Sequence, residues 1–575
     1  MQSTEEKIIN DIKELNGGRR FVNQIEPFEE EERNRLSGET RFEDSSLSSI
    51  NMSSNDYENS SVLHDSQQNF GTSTFYISSP YAVRLANKRK SLSDKTYCLA
   101  KELLMTERTY RKDLEIVNVV FREEFYRQNT VESAAVDRIL SLVDPLYEQH
   151  CSLLRDLEQR LAFWEGRPSN RNSSGTKGIA DVLLLHKAMV EVHARYLENL
   201  SAALELLYIE LSENSDFATV YRHFEAQKVC YLPLTSFLLR AAFRLPYYEA
   251  LLKELLSCSN TQQDNYNACV DMLAELKTPS ENFEKKILSL VNFVKLMELQ
   301  RSLIGFPNLV DKEREFIREG TLFKLTKNGS QQHMFFLFSD TLLWATRVQG
   351  GPILFRVRGR LTSTEIHVAP TEPLHGVNHC LLLQSSHQFS LVVGAPSERE
   401  LRLWLGDFKR SIPNGNSGSP DDKDTEEEDY EDMDEVINDE EKVTHVNTSM
   451  HICWHRNISV SCQDLLLSMK HSMSGYLLRK FRNSSGWQKV WVVLANLCLF
   501  FYRSYLEESP LASLPLAGYK IMRTSGTDLV HGELIFKLLF KNHEYFFTVE
   551  NKHTFDRWME AVGICTLTQE ENTWL

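Results

Sequence analysis

At Phe316 the hydrophobic period of this 575-residue chain changes from three-and-four spacing to alternation, so a helical part is followed by strand-rich parts. Before the switch, Ala100, Leu103, Leu104, Tyr110, Leu114, Val117 and Phe121 share one face of a long helix that Ser93 or Asp94 can cap. The same spacing runs through Val136 to Trp164, Ile179 to Leu211, Phe217 to Val229, Leu232 to Leu256 and Asn265 to Ile304. Pro233 fits the first turn of its helix, whereas Pro246 interrupts the pattern and predicts a kink. Roughly 210 residues of helix with short polar breaks predict a helical bundle over residues 94–306.

After the switch, Gly320 to Leu325, Met334 to Phe338 and Leu342 to Trp344 read as strands joined by turns at Asn328-Gly329 and Ser339-Asp340. Further strands follow at Phe355 to Val357, His379 to Leu383 and Phe389 to Val393, and a helix over Ser397 to Arg410 carries Trp404. The order recurs with Ser474 to Leu478, Trp487 to Leu494, Cys498 to Tyr502, strands near Phe536 and Tyr545, and a helix over Lys552 to Ile564 carrying Trp558. This is an internal repeat of about 100 residues. The fold class is therefore multidomain α + β: a helical bundle, then two small barrels over residues 315–412 and 472–567, each closed by a C-terminal helix.

The chain's charge is concentrated. Asp421 to Lys442 holds fourteen acidic residues and two lysines, a net −12 of the total −16. With Tyr430 as its one aromatic, this run cannot bury enough apolar surface to offset backbone ordering. Residues 413–470 are thus expected to be an acidic, disordered linker containing a docking segment, and residues 1–90 a disordered N-terminal segment. No run of about 18 uncharged apolar residues exists, and no basic start precedes an apolar stretch, so the expected location is the cytoplasm. Ten cysteines without a CxxC pair argue against zinc ribbons and redox motifs. His451, Cys453 and His455, with Cys462 further on, fall short of a four-ligand site, so no metal is expected. No Ser/His/Asp or phosphate-loop pattern stands out, which argues against covalent chemistry and a cofactor. No nucleic-acid partner is expected.

Ala100-Lys101-Glu102-Leu103-Leu104-Met105-Thr106-Glu107-Arg108-Thr109-Tyr110 resembles the first signature helix of Dbl-homology domains, and Phe237 to Leu245 stands in the place of the third. Phe316 to Gly320, Gln331 to Asp340, Met450 to Asn457, Ser474 to Phe481 and Gly486 to Val493 resemble the FERM, RhoGEF and pleckstrin domain-containing (FARP) family. The resemblance covers Asp94 to Thr566 and implies a Dbl-homology bundle followed by two pleckstrin-homology domains, without the family's FERM region, as a short form, a fragment or a divergent relative would have it. It implies a guanine nucleotide exchange factor for a Rho-family small GTPase of Rac type, autoinhibited by its pleckstrin-homology domains.

The resemblance also implies the site. Glu102 matches the Glu that engages the GTPase's switch 1; Thr106, Thr109 and Asp113 share its helix face, away from the Leu103/Tyr110 seam and free to meet a partner. Arg240 and Arg244, four residues apart on one helical face, would hold acidic switch residues, with Tyr247 and Glu284 in the contact set. Ala241, Phe243, Tyr247 and Glu284 depart from the family's polar pattern. They keep open a second reading, a non-catalytic adaptor with a degenerate Dbl domain. In the second barrel Arg479, Lys480, Arg482 and Lys489 supply weak binding to an anionic phosphoinositide surface, hence recruitment to the plasma membrane. The first barrel, with only Lys324 and Lys327 before His333, is expected not to bind.

Overall fold

In the computed structural model, residues 80–568 are described except 128–132, 167–177, 259–263, 281–282, 350–352, 364–365, 386–388, 412–451, 482–485, 527, 529 and 531. The expectations for residues 1–79 and for the acidic run, together with Arg482 and His451, therefore fall outside the described residues. From Ser93 onward these residues belong to one unit, within which all contacts below lie.

The bundle begins with α1 (Pro80–Glu115), which passes through a π-helical turn (Ile116–Phe121) into α2 (Arg122–Arg127). The inserted residue of that turn keeps Ile116, Val117 and Phe121 all buried. There follow α3 (Ala134–Gly166), α4 (Ala180–Leu185), α5 (Met189–Glu213), α6 (Ser215–Glu225), α7 (Leu234–Ala242), α8 (Arg244–Cys258), α9 (Asp264–Ser280) and α10 (Phe283–Ser302). Three helices inferred from spacing are thereby each divided, the Ile179–Leu211 stretch between α4 and α5. The Leu232–Leu256 helix breaks at Phe243, so Pro246 produces no kink: it stands in the first turn of α8, where its missing N–H costs nothing. The Asn265–Ile304 helix divides between α9 and α10.

The bundle runs directly into a nine-stranded sheet. β1 (Leu303–Ile304), at the end of α10, pairs in parallel with β5 (Phe355–Thr362). β2 (Phe316–Thr326), β3 (Gly329–Phe338) and β4 (Thr341–Arg347) complete an antiparallel run with β5, while β6 (Ile366–Thr371), β7 (Cys380–Ser385) and β8 (Ser390–Gly394) close onto the other edge of β2. Its core gathers Leu322, Phe335, Trp344, Leu383 and Val393 around Trp404 and Phe408 of α11 (Glu398–Ser411). Gly359 is required here, because a Cβ would lie 2.1 Å from the Trp344 ring. Lys295 of α10, bonded to Glu319 of β2 at 2.8 Å in the interior, ties bundle to sheet.

Residues 452–470 fold back onto this sheet as α12 (Ile452–Arg456), β9 (Ser459–Ser461) and α13 (Cys462–Lys470). β9 pairs with Arg318 to Gly320 of β2, and Gly320 allows it: a Cβ there would sit 2.7 Å from Ser459 Cα. A second, seven-stranded sheet follows, formed by β10 (Met473–Phe481), β11 (Gln488–Ala495), β12 (Cys498–Tyr502), β13 (Ala512–Pro515), β14 (Lys520–Arg523), β15 (Ile535–Phe540) and β16 (His543–Thr548). β10 lies between β11 and β16, and α14 (Lys552–Thr566), capped by Asn551, buries Trp558 against the sheet.

Candidate functional site

The apolar seam of α1 packs into the bundle and turns Glu102, Thr106, Thr109 and Asp113 outward from it. That face is not free. Glu102 is 9% exposed, Thr106 and Thr109 6% and Asp113 2%: the second sheet and α14 lie along this face, and within the bundle Arg244 and Tyr247 close on Thr106 and Arg240 and Tyr231 on Asp113. Arg557 of α14 forks onto the Glu102 carboxylate, with Nη2 to Oε1 at 3.0 Å and Nε to Oε2 at 3.2 Å. His553, one turn earlier, lies 4.0 Å from Glu102, and Lys101 pairs with Glu550 at 2.6 Å. Ser474 Oγ donates to the Met105 carbonyl at 3.0 Å.

The covering continues along the helix. Arg108, paired with Glu158 at 2.8 Å, lies 4.0 Å from the Tyr505 ring centroid, and Lys112 lies 4.6 Å from that of Tyr502. Tyr231 meets Phe500 edge to face at 4.8 Å, and Asn496 donates to Ser236 Oγ at 2.8 Å. The seam thus combines aromatic burial with ion pairs whose charges are partly desolvated.

The two arginines also differ from the sequence expectation. They stand on different helices either side of Phe243, not on one face, and neither presents its charge outward. Arg240 donates to Asp113 at 2.7 Å, and Tyr231 donates to the same carboxylate at 2.6 Å. Arg244 is 7% exposed and paired with the fully buried Glu107. Both act as internal struts between α1 and the α7–α8 corner. Tyr247 is half-buried beside them; its hydroxyl meets Thr106 Oγ1 at 3.1 Å and its ring lies 4.5 Å from the Arg244 guanidinium. Glu284 is 88% exposed and its nearest ion-pair partner is Lys470 of α13 at 3.6 Å. Glu102, Thr106, Thr109 and Tyr247 therefore share one covered patch, and Glu284 stands outside it.

Behind the patch lies a network that pattern reading did not single out. Glu107 accepts from Tyr248 at 2.7 Å and from Arg244, and meets His150 at 2.6 Å; His150 in turn meets His193 at 2.9 Å. Burial alone would raise the Glu107 carboxyl, but the Arg244 guanidinium and His150 hold it down to about 2. The available signal was a charged residue between Leu103/Leu104 and Tyr110 in an otherwise apolar stripe. Arg557 left no signal, being one of several charged residues on α14.

The basic residues of the second sheet are dispersed. Arg479 is buried, donates to Gln488 at 2.9 Å and packs its guanidinium 4.5 Å from Phe481 and 4.9 Å from Phe501, so it does not reach outward as the lipid expectation required. Lys480 alternates to the other face of β10, and Lys489 is exposed over the Tyr476 ring. No helix among the described residues is long and apolar enough to cross a membrane, and no cluster of three or more His, Cys, Asp or Glu among them is placed to hold a metal ion.

Comparison with known proteins accords with this geometry. The RhoGEF domain family matches residues 99–283, over the bundle, and the PH domain family matches residues 471–566, from the end of α13 through α14. FERM, ARHGEF and pleckstrin domain-containing protein 2 of Homo sapiens is 40% identical over 491 residues, which cover 82% of this chain and 46% of that protein. The chain is a homologue of the FERM, ARHGEF and pleckstrin domain-containing proteins. Protein 1 of that name from Gallus gallus is 37% identical over 498 residues, covering 83% of this chain and 47% of that protein. The chain thus spans about half the length of these curated relatives. A crystal structure of the DH domain of FARP2 aligns at 35% identity over 36% of this chain and 97% of that one, with a TM-score of 0.33. The RhoGEF bundle is therefore covered, on the α1 face, by the PH domain of the same chain.

Proposed function

We propose that this chain is a guanine nucleotide exchange factor for a Rho-family small GTPase, held closed by its own PH domain. The observation that carries this reading is the fork of Arg557 onto Glu102, in the middle of the buried α1 face. Exchange needs no covalent step. The factor binds the nucleotide-free GTPase more tightly than the loaded one, and linkage makes nucleotide and factor weaken each other. Glu102 would meet switch 1, with Thr106, Thr109 and Tyr247 beside it, and Arg557 occupies that carboxylate in place of the GTPase. The closed state lowers apparent affinity by the fraction of molecules that are open. The Rac-type preference rests on the family resemblance alone.

In the same reading the β1–β9 sheet with α11 is a further pleckstrin-homology domain, supported by the shared order of strands closed by a Trp-bearing helix. Lys480 and Lys489 of the second sheet would meet an anionic membrane and recruit the protein from the cytoplasm to the plasma membrane. One observation favours the adaptor reading: Arg240 and Arg244 are committed to Asp113 and Glu107 and present no free cation to a partner.

The deciding measurement is fluorescent GDP release from a panel of Rho-family GTPases by the full chain, by Arg557→Glu and by Arg557→Glu combined with Glu102→Ala. Release that Arg557→Glu raises at least tenfold and Glu102→Ala then removes supports closed exchange. No release by any of the three, with circular dichroism showing all folded, overturns it in favour of the adaptor.

A further inference from the structure

Between β12 and β13 the PH domain puts out a loop, Arg503 to Leu511, that lies against α1. Its ends are joined where the Leu511 N–H donates to the Phe501 carbonyl at 2.7 Å. Inside it the Ser504–Glu507 turn is held by two long bonds, Leu506 N–H to Ser504 Oγ and Glu507 N–H to the Ser504 carbonyl, both at 3.3 Å, and Leu506, Glu507 and Glu508 are exposed. Tyr505 stands in this turn, half-buried, its ring 4.0 Å from the Arg108 guanidinium and 5.8 Å from the Trp491 ring. Its hydroxyl has no hydrogen-bond partner among the described residues and is not closed off from solvent. By contrast, Tyr231 is committed to Asp113 and Tyr247 to Thr106, and Tyr502 is buried.

The same small pocket holds an ammonium without a counterion. Lys112 lines it with Arg108, Trp491, Tyr502 and Tyr505. Lys112 is half-buried, donates to the Glu507 carbonyl and lies over the Tyr502 ring, and no carboxylate among the described residues is within ion-pair distance of it. The acids nearby are engaged elsewhere or solvated: Asp113 with Arg240 and Tyr231, Glu158 with Arg108, and Glu507 and Glu508 in water. A partly desolvated cation that lacks an anion favours the arrival of one.

We propose that Tyr505 is a phosphorylation site and that its phosphate, held by Lys112 and Arg108, latches the PH domain onto α1. The modifying enzyme is a tyrosine kinase whose cleft takes an acidic segment, because Leu506, Glu507 and Glu508 follow the tyrosine. Tyr505 Oη attacks the γ-phosphorus of a nucleoside triphosphate. The Oη–P bond forms, the bond from that phosphorus to the β–γ bridging oxygen breaks, a nucleoside diphosphate leaves, and the phenolic proton passes to the kinase's base. Drawing the turn into a kinase gives up its two long bonds and its contacts with α1 but leaves the β12–β13 pairing in place. The kinase therefore acts on the open state, and the phosphate then favours closure. A charge of about −2 with three acceptor oxygens makes charge-assisted bonds to Lys112 and Arg108. Glu507 and Glu508 oppose it through water, where their charge is screened, and Glu158 is already paired. That the latch also hides Glu102 from a GTPase rests on the exchange reading; the modification and the latch do not.

The site is tested by incubating the full chain with a panel of purified tyrosine-kinase domains, magnesium and ATP, and mapping phosphate by mass spectrometry. Phosphate at Tyr505, faster in Arg557→Glu and missing from that peptide in Tyr505→Phe, is the expected result. Modification of other tyrosines with none at Tyr505 by any kinase overturns the site. The latch is tested by installing phosphotyrosine at position 505 through codon suppression and measuring hydrogen–deuterium exchange. Protection of α1 from Glu102 to Lys112 should rise by roughly fivefold or more, and Lys112→Gln should cancel most of the gain. Unchanged or weakened protection refutes the latch, as does a gain that Lys112→Gln leaves intact. GDP release by Arg557→Glu should fall when it carries the phosphate. A rise also refutes the latch, whereas no release from either form refutes the exchange reading and leaves the latch to the hydrogen-exchange measurement.

Discussion

Arg456 reaches from the returning segment into the PH domain and lies 4.9 Å from the ring centroid of Tyr519 and 4.7 Å from that of Phe540, two rings that adjoin each other at 5.3 Å. Its Nη1 donates to the carbonyls of Pro515 and Ala517 at 2.9 and 2.5 Å. No carboxylate pairs with it among the described residues, and burial holds its pKa down. The segment is thereby held to both sheets: β9 is a strand of the first, and Arg456 plugs the second.

Arg456→Ala should separate the PH domain from the segment without unfolding either sheet. Removing the guanidinium takes the donor from the Pro515 and Ala517 carbonyls and the cation from the two rings, so the cost is expected to be ~1–2 kcal/mol. Hydrogen–deuterium exchange should rise in α12 and around Ala517, and stay unchanged in β3 and β4.

A charge swap tests the covered α1 face independently of exchange. Arg557→Glu faces Glu102 with a like charge and should raise amide exchange along α1 from Glu102 to Lys112. Adding Glu102→Arg restores the pair with inverted sign and should return protection most of the way. Truncating one partner of such a desolvated pair costs about 2 kcal/mol or more, a population shift of at least tenfold.

Glu107 predicts an acid transition. Its carboxyl, held to about 2 in the folded chain against an ordinary 4.5, contributes stability that is complete above about 4.5 and is lost as pH falls toward 2. Below 4.5 the unfolded chain binds the proton first, so stability must fall with pH there. Glu107→Gln should flatten that slope in urea midpoints. At neutral pH it should cost about 3–5 kcal/mol, since Arg244 is left buried without its anion.

Membrane binding, if carried by the PH domain, should depend on Lys480 and Lys489 and not on Arg479. Lys480→Glu with Lys489→Glu should weaken co-sedimentation with phosphoinositide-containing vesicles by tenfold or more, at roughly 1 kcal/mol per lysine removed and more on reversal. Arg479→Ala should instead lower the melting temperature, because its guanidinium packs on Phe481 and Phe501.

Much of the architecture was legible in advance because period is a local property. The spacing of Leu103, Tyr110, Leu114 and Val117 names the buried face of α1, and alternation after Phe316 marks strands, whatever the rest of the chain does. Breaks were less legible. The division at Phe243 left the apolar rhythm of Leu239, Leu245 and Leu252 nearly undisturbed, so the spacing read straight through it. Pairing was not legible at all. Arg240 and Arg244 read as neighbours on an open face because local spacing records which face is polar, not which buried carboxylate waits on another helix.

The sequence by itself determined that a helical bundle precedes two strand-rich units, that Glu102, Thr106 and Thr109 share a polar stripe, and which family's residues they resemble. Only the tertiary structure decided what covers that stripe. Glu102 and Arg557 are 455 residues apart in the chain, and their encounter depends on β9, Arg456 and the seam aromatics placing α14 within 3.0 Å. An ion pair at such separation leaves no periodic trace, because each partner alone is an ordinary surface charge until folding removes the water between them.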